Sequence, residues 1–249
     1  MNIKAFIPNF VTLLNLFCGS IAVIFAVNNH FKYAALFVFL GIFFDFFDGL
    51  LARKLKVQSE LGLQLDSLAD MVTSGLVPGI ILFKLLELAS NSRAITPISE
   101  WTETMQWTGF KVNLLPFIGL FVTLASAYRL AKFNIDEDQQ SYFKGLPVPA
   151  NTLLIIALPL ILEFQNSDAM NSIILNKWFL IGLTLISCYL LNSSIKLFAL
   201  KFKDWSFKNN AVRYIFIILS IVLLVILHFA AIPIIILLYI LLSLFNNIN

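Results

Sequence analysis

Eight stretches of this chain, residues 8–27, 31–52, 63–87, 112–133, 147–164, 174–195, 212–228 and 231–246, are apolar enough to leave water. A helix rises 1.5 Å per residue, so about 20 residues cross a hydrocarbon layer about 30 Å thick. Inside such a layer every backbone N–H and C=O must be satisfied within the protein, which makes these stretches helices. Composition agrees: 59% of the 249 residues are hydrophobic and 12% charged, against about 25% charged in soluble domains. No polar stretch is long enough to build a separate soluble core. The expected fold is an all-α polytopic transmembrane bundle, one domain over residues 1–249. The last two stretches are separated only by the segment from His228 to Ile232, so they are expected to form a tight hairpin.

Lysine and arginine set the expected orientation. With a cytoplasmic N-terminus, the inner segments collect Lys4, Arg53, Lys54, Lys56, Arg129, Lys132, Lys144, Lys196, Lys201, Lys203, Lys208 and Arg213, and the outer ones only Lys32, Arg93, Lys111 and Lys177. Eight crossings return the C-terminus to the same side. The first apolar stretch, Pro8 to Val27, suits a retained helix better than a cleaved signal core. Trp101 and Trp107 mark the outer loop from Ser90 to Phe110 as an interfacial anchor. Cys18 and Cys188 lie in apolar stretches and are expected to stay free. Neither charge nor composition suggests a nucleic-acid partner.

Four of the 14 acidic residues sit at the facing ends of the second and third stretches: Asp45, Asp48, Asp66 and Asp70. Carboxylates in this setting cost several kcal/mol and are normally retained for work. Asp45 and Asp48 are i,i+3, and Asp66 and Asp70 are i,i+4, so each pair shares a helix face. The polar segment from Arg53 to Glu60 forms the turn between them, so the pairs converge near the inner surface. Carboxylates so close need a positive partner. Oxygen-only ligands suit hard cations such as Mg²⁺, Mn²⁺ or Ca²⁺, and the lack of nearby His or Cys argues against zinc. Two such ions would suit a diphosphate ligand and phosphoryl transfer. Gly49, Ala52 and Gly62 leave bare helix faces beside the carboxylates, for a ligand or for close helix packing.

Together these residues read Asp45-x2-Asp48-Gly49-x2-Ala52-Arg53-x8-Gly62-x3-Asp66-x3-Asp70. The string resembles the motif of the CDP-alcohol phosphotransferase family at all eight specified positions. That resemblance implies a six-helix core (here about 8–195, with the hairpin 212–246 as an addition), two divalent metals, and attack of an alcohol on the β-phosphate of a CDP-linked lipid with release of CMP. It also implies a homodimer. By position, Asp45, Asp48, Asp66 and Asp70 would be metal ligands and Asp70 also the general base, while Gly49, Ala52, Arg53 and Gly62 would line the CDP site. A carboxylate within reach of a hydroxyl is a reasonable base for so weak a nucleophile.

Two flanking segments resemble those of phosphatidylserine synthases, which would make the substrates CDP-diacylglycerol and L-serine. The first is Ile7-Pro8-Asn9-Phe10-Val11-Thr12-Leu13-Leu14-Asn15, in which Asn9 and Thr12 share a face and could meet the CDP group. Pro8 and Asn9 would equally start and cap a helix. The second runs Tyr128-Arg129-Leu130-Ala131-Lys132-Phe133-Asn134, followed by Gly145-Leu146-Pro147-Val148-Pro149-Ala150. Arg129, Lys132 and Asn134 would bind serine, whose carboxylate suits a cationic face, although both cations also suit snorkelling to lipid phosphates. Gly145, Pro147 and Pro149 shape the turn into the fifth stretch.

The chain departs from the subfamily pattern at Lys132, where Arg is usual, and around Thr73-Ser74-Gly75-Leu76-Val77-Pro78-Gly79. Rival acceptors are glycerol 3-phosphate, inositol phosphate and choline; the two phosphorylated ones need a larger cationic pocket. A cation-coupled transporter would place carboxylates on broken helices near the midplane within inverted repeats, and no repeat is evident here. His30 and His228 fall on outer turns as bystanders, Asp136-Glu137-Asp138 reads as a solvated loop, and Lys84 and Glu87 as a local pair. The basic run from Lys196 to Arg213 faces anionic headgroups.

Overall fold

The computed structural model describes residues 3–91, 113–135, 142–198 and 207–245. The outer loop with Trp101 and Trp107, the Asp136–Asp138 segment and residues 199–206 of the basic run lie outside them. Among the described residues, five helical segments are long and apolar enough to cross a membrane, or six when one bent pair is taken as a span. This is an all-α polytopic membrane protein. Neither cysteine is in a disulfide.

Helices α1 (Ile3–Val27) and α2 (Phe31–Leu55) form an antiparallel hairpin. Small residues let them approach: Ala22 and Ala26 on α1, and Ala34, Ala35 and Gly41 on α2, are all buried. Asn29 takes a positive φ of 61° at the turn. At the far end of α2, Lys56 adopts a left-handed φ of 56° and its N–H reaches back to the Ala52 and Arg53 carbonyls, stopping the helix. Ser59 then caps α3 (Glu60–Asp70), its hydroxyl accepting from the Gly62 N–H at 3.1 Å.

Where one continuous third span was expected, α3 passes into a π-helical segment, Met71–Leu76, and then α4 (Val77–Asn91). Pro78 has no N–H to give the preceding turn. Two hydroxyls meet carbonyls there, Thr152 on Ser74 at 2.7 Å and Thr123 on Gly75 at 3.1 Å. The expected Lys84–Glu87 pair forms, at 2.7 Å.

A 3₁₀ turn (Leu115–Leu120) leads into α5 (Phe121–Ile135). Gly145, with φ +73°, and Pro147, which precedes the first turn, then direct the chain into α6 (Val148–Phe164). The expected sixth span, 174–195, is filled by α8 (Lys177–Asn192), which Asn176 caps and which a short helix α7 (Asp168–Ile174) precedes at 59°. A feature the all-α reading did not anticipate is a two-stranded antiparallel ribbon, β1 (Tyr142–Lys144) paired with β2 (Lys196–Phe198).

The C-terminal segment folds back as expected. Helices α9 (Phe207–Leu227) and α10 (Ala231–Phe245) reverse at His228, whose φ is +49°. The rings of Phe216 and Tyr239 are 5.6 Å apart, whereas a straight helix would separate 23 residues by about 35 Å. Gln165 bridges the end of α6 to this turn, accepting from Ala230 N–H and donating to Leu227 O, both at 2.9 Å. At the other end, Tyr239 donates to Phe198 O of β2 at 2.8 Å. Lys32 sits over the Phe164 ring, so the start of α2 lies beside the end of α6. The aspartate-bearing end of α2 and the ribbon therefore share one end of the bundle.

The buried core is a set of aliphatic side chains from α4, α6 and α8, among them Ile81, Leu85, Ile155, Ile156 and Leu180, packed against the small residues of α1 and α2. One close approach is at Gly19, where an added Cβ would lie 2.2 Å from Thr73 Oγ1 and 3.0 Å from Thr73 Cα and N. Backbone cannot yield as a flexible side chain does. Gly19→Ala should cost about 1–3 kcal/mol as overpacking, read as an apparent Tm in detergent lowered by several degrees. Gly182→Ala, with nothing within 4 Å, should leave that Tm unchanged. Equal Tm values for the two variants would contradict this packing.

Candidate active site

The acidic pairs converge as the spacing predicts. Asp45 and Asp48 lie on α2 and Asp66 on α3, and one carboxylate oxygen from each lies within 4.8 Å of the other two. Among the described residues no ion pair reaches these groups; the Lys84–Glu87 pair stands on α4. Asp48 is buried, and one oxygen of Asp66 is buried without a hydrogen-bond partner. A buried, unpartnered carboxylate oxygen among two more carboxylates is a costly arrangement that a hard cation would relieve. The donor set, all oxygen, fits such an ion.

Helix α1 supplies the partners that orient two of the four. Thr12 donates to Asp48 Oδ2 at 2.6 Å and also lies 3.1 Å from the Pro8 carbonyl. One turn on, Asn15 Nδ2 donates to Asp70 Oδ1 at 3.1 Å. Asp70 stands beside the three-carboxylate group and not within it, close enough for the charges of Asp66 and Asp48 to act on it.

A cleft of about 450 Å³ opens alongside. All six residues expected at the CDP site, Asn9, Thr12, Gly49, Ala52, Arg53 and Gly62, line it together with Asp48 and Asp66. The glycines open the walls: a Cβ on Gly62 would stand 3.2 Å from both Asn9 Oδ1 and Ser59 Oγ. Arg53 is exposed and its guanidinium hangs beside Gly49. The cleft thus offers an exposed cation together with carboxylates, the polarity expected for a ligand that brings anionic phosphates to a cation-loaded acidic cluster.

The expected serine-binding residues are placed apart from this cleft, at the end of α5. Arg129 is buried, and its guanidinium donates to three backbone carbonyls, Lys144 at 2.6 Å, Leu191 at 3.2 Å and Gly145 at 3.3 Å. It ties the β1 turn to the end of α8. Asn134 Nδ2 donates to Ser67 Oγ at 2.9 Å, linking α5 to α3 one residue from Asp66. Lys132 is exposed and, with Lys144 and Asn192, lines a recess of about 10 Å³. His30 and His228 lie at turns, at the end of the bundle away from the carboxylates.

Asn15 and Thr73 carry no expected role in the sequence reading. Both are fully buried, and polar side chains in an apolar helix are the signal that marks them out.

Comparison with known proteins agrees with this geometry. The family profile described as CDP-alcohol phosphatidyltransferase matches residues 5–190. A CDP-diacylglycerol–serine O-phosphatidyltransferase of Bacillus subtilis is 32% identical over 157 residues, 61% of this chain and 75% of that protein. One of Methanocaldococcus jannaschii is 32% identical over 181 residues, 73% and 71% of the two chains. One of Saccharomyces cerevisiae is 28% identical over 166 residues, 60% and 52%. The profile covers the acidic cluster, its cleft and every residue expected to act there, and the chain belongs to the CDP-alcohol phosphatidyltransferase family of membrane enzymes.

Proposed function

We propose that this enzyme transfers the phosphatidyl group of CDP-diacylglycerol to the hydroxyl of L-serine, giving phosphatidylserine and CMP. The observation that carries the reading is the group of Asp45, Asp48 and Asp66 beside a cleft lined by Asp48, Gly49, Ala52, Arg53, Gly62 and Asp66. The serine assignment is supported by the names of the relatives, each a CDP-diacylglycerol–serine O-phosphatidyltransferase.

Asp45, Asp48, Asp66 and Asp70 would hold divalent cations, Mg²⁺ or Mn²⁺, two in number, with Ca²⁺ as a further candidate. Bound there, the ions would supply charge neutralisation for the diphosphate and for the phosphoryl group as it moves. The chain's own residues do the rest. Arg53 meets the diphosphate, and the bare faces of Gly49, Ala52 and Gly62 admit the nucleotide beside Asn9. Thr12 keeps Asp48 turned toward the cleft. Asp70 takes the proton of the serine hydroxyl as its oxygen bonds to the β-phosphorus and the bond from that phosphorus to the CMP oxygen breaks. Holding hydroxyl and phosphorus in line accounts for much of the rate. Of the three residues expected for serine, Lys132 has the free reach to meet the carboxylate. Arg129 and Asn134 shape its surroundings, the one through backbone carbonyls and the other through Ser67.

The enzyme works in the cytoplasmic membrane as a homodimer with eight crossings, both termini and the site facing the cytoplasm. The support is the twelve-to-four bias of Lys and Arg toward that side and the family resemblance. A cysteine introduced at Ser59, in an otherwise cysteine-free chain, should react with an impermeant maleimide in inverted vesicles and not in intact cells. Labelling in intact cells alone would reverse the orientation.

Purified protein given CDP-diacylglycerol, L-serine and Mn²⁺ or Mg²⁺ should release CMP and form phosphatidylserine, and a chelator should stop it. Release of CMP with glycerol 3-phosphate or inositol phosphate, and none with serine, would overturn the acceptor. In the same assay Asp70→Asn should lower kcat by about 10²- to 10⁴-fold, the usual share of a general base, with CDP-diacylglycerol still bound. Full activity in that variant would remove Asp70 from the role.

A further inference from the structure

We infer that Asn15 is the positioning residue of Asp70, anchoring one oxygen of its carboxylate so that the other stays directed at the reacting centre. The inference rests on the reading of Asp70 as the base.

Helical spacing alone puts Asp66 and Asp70 on one face, yet only Asp66 joins the group of three. What restrains Asp70 is the hydrogen bond from Asn15 Nδ2 to its Oδ1, 3.1 Å long. Asn15 is itself held from several sides. Its side chain has no exposure to solvent, and its backbone carbonyl accepts from Thr73 Oγ1 at 3.2 Å. A Cβ on Gly41 would fall 2.8 Å from Asn15 Oδ1 and 2.6 Å from Thr73 Cγ2. Helices α1 and α2 and the π-helical segment thus interlock around this one amide, and the two glycines, Gly19 and Gly41, are what let them.

The amide oxygen of Asn15 is buried with no hydrogen-bond partner. An apolar side chain of the same size would avoid that deficit, so the residue's value to the protein lies in its donor. That donor has one recipient, Asp70. A carboxylate oriented by a fixed amide needs no rearrangement when the hydroxyl arrives, the condition under which a base is effective.

The test compares Asn15→Leu, which keeps the volume and removes the donor, with Asn15→Ala, which removes it without risk of overfilling; whichever is folded in detergent is assayed. The expected result, at saturating Mn²⁺, is a fall in kcat of about 10- to 100-fold, with KM for CDP-diacylglycerol unchanged and Mn²⁺, read from the electron paramagnetic resonance of the free ion, still bound by Asp45, Asp48 and Asp66. In an Asp70→Asn background the same substitution should lower kcat no further, because its effect passes through that carboxylate. Wild-type kcat in both Asn15 variants, a complete loss of Mn²⁺ binding, or a full additional loss in the Asp70→Asn background would each overturn the inference. If Asp70→Asn itself kept full activity, the reading of Asp70 as the base would fail instead, and the two failures are thereby told apart.

Discussion

The structure depends on one costly arrangement: carboxylates brought together within an apolar bundle. Each would be more stable in water, and their mutual repulsion grows as the local dielectric falls. Asp45, Asp48 and Asp66 nonetheless converge across the α2–α3 hairpin. The convergence is imposed by packing elsewhere. Lys56 and Ser59 fix the turn, so α2 and α3 have no freedom to separate their acidic faces. The small-residue seam between α1 and α2 then brings α1 near enough for Thr12 and Asn15 to reach two of the carboxylates, at 2.6 and 3.1 Å. Fold and site share the same contacts.

That dependence explains why the first helix matters to chemistry carried by the second and third. Thr12 and Asn15 are three residues apart on one face, and each addresses a carboxylate from a different helix. The π-helical segment beginning at Met71 lies directly after Asp70 and carries Thr73 against Gly19 and Gly41. An irregular turn there changes the direction in which the following side chains point, as such segments often do at functional sites. At the end of α5, Arg129 gathers carbonyls of the ribbon, of the turn after it and of α8, and the C-terminal hairpin is tied to the same ribbon through Tyr239 and Phe198. The hairpin lies outside residues 5–190, the family region, yet it is coupled by these bonds to the end of the bundle that holds the site.

Much of this was legible in the sequence because it follows from short periods. The i,i+3 and i,i+4 spacing of the aspartates, the Lys84–Glu87 pair, the reversal at His228 and the turn at Gly145 are local, and each appears in the structure where the spacing puts it. The cleft too was foreshadowed in part, since Gly49, Ala52, Arg53 and Gly62 among its expected lining residues are close in sequence to the acidic pairs. What was not legible depends on which helices touch. Thr12 read as a ligand contact because nothing local shows that its hydroxyl reaches Asp48, 36 residues on. Arg129 read as a carboxylate binder because a cation at a helix end offers no sign of the three carbonyls it will meet. The ribbon pairs three-residue strands more than 50 residues apart, too short to show a period.

The central claim is that the convergent aspartates form a site for divalent cations, and it is tested most directly by anomalous diffraction from crystals of the protein soaked in Mn²⁺. The account predicts Mn²⁺ peaks within about 2.5 Å of carboxylate oxygens of Asp45, Asp48 and Asp66, lost when Asp48 and Asp66 are both changed to Asn. Mn²⁺ absent from these oxygens at saturating concentration, or bound equally well in the doubly substituted protein, would contradict it.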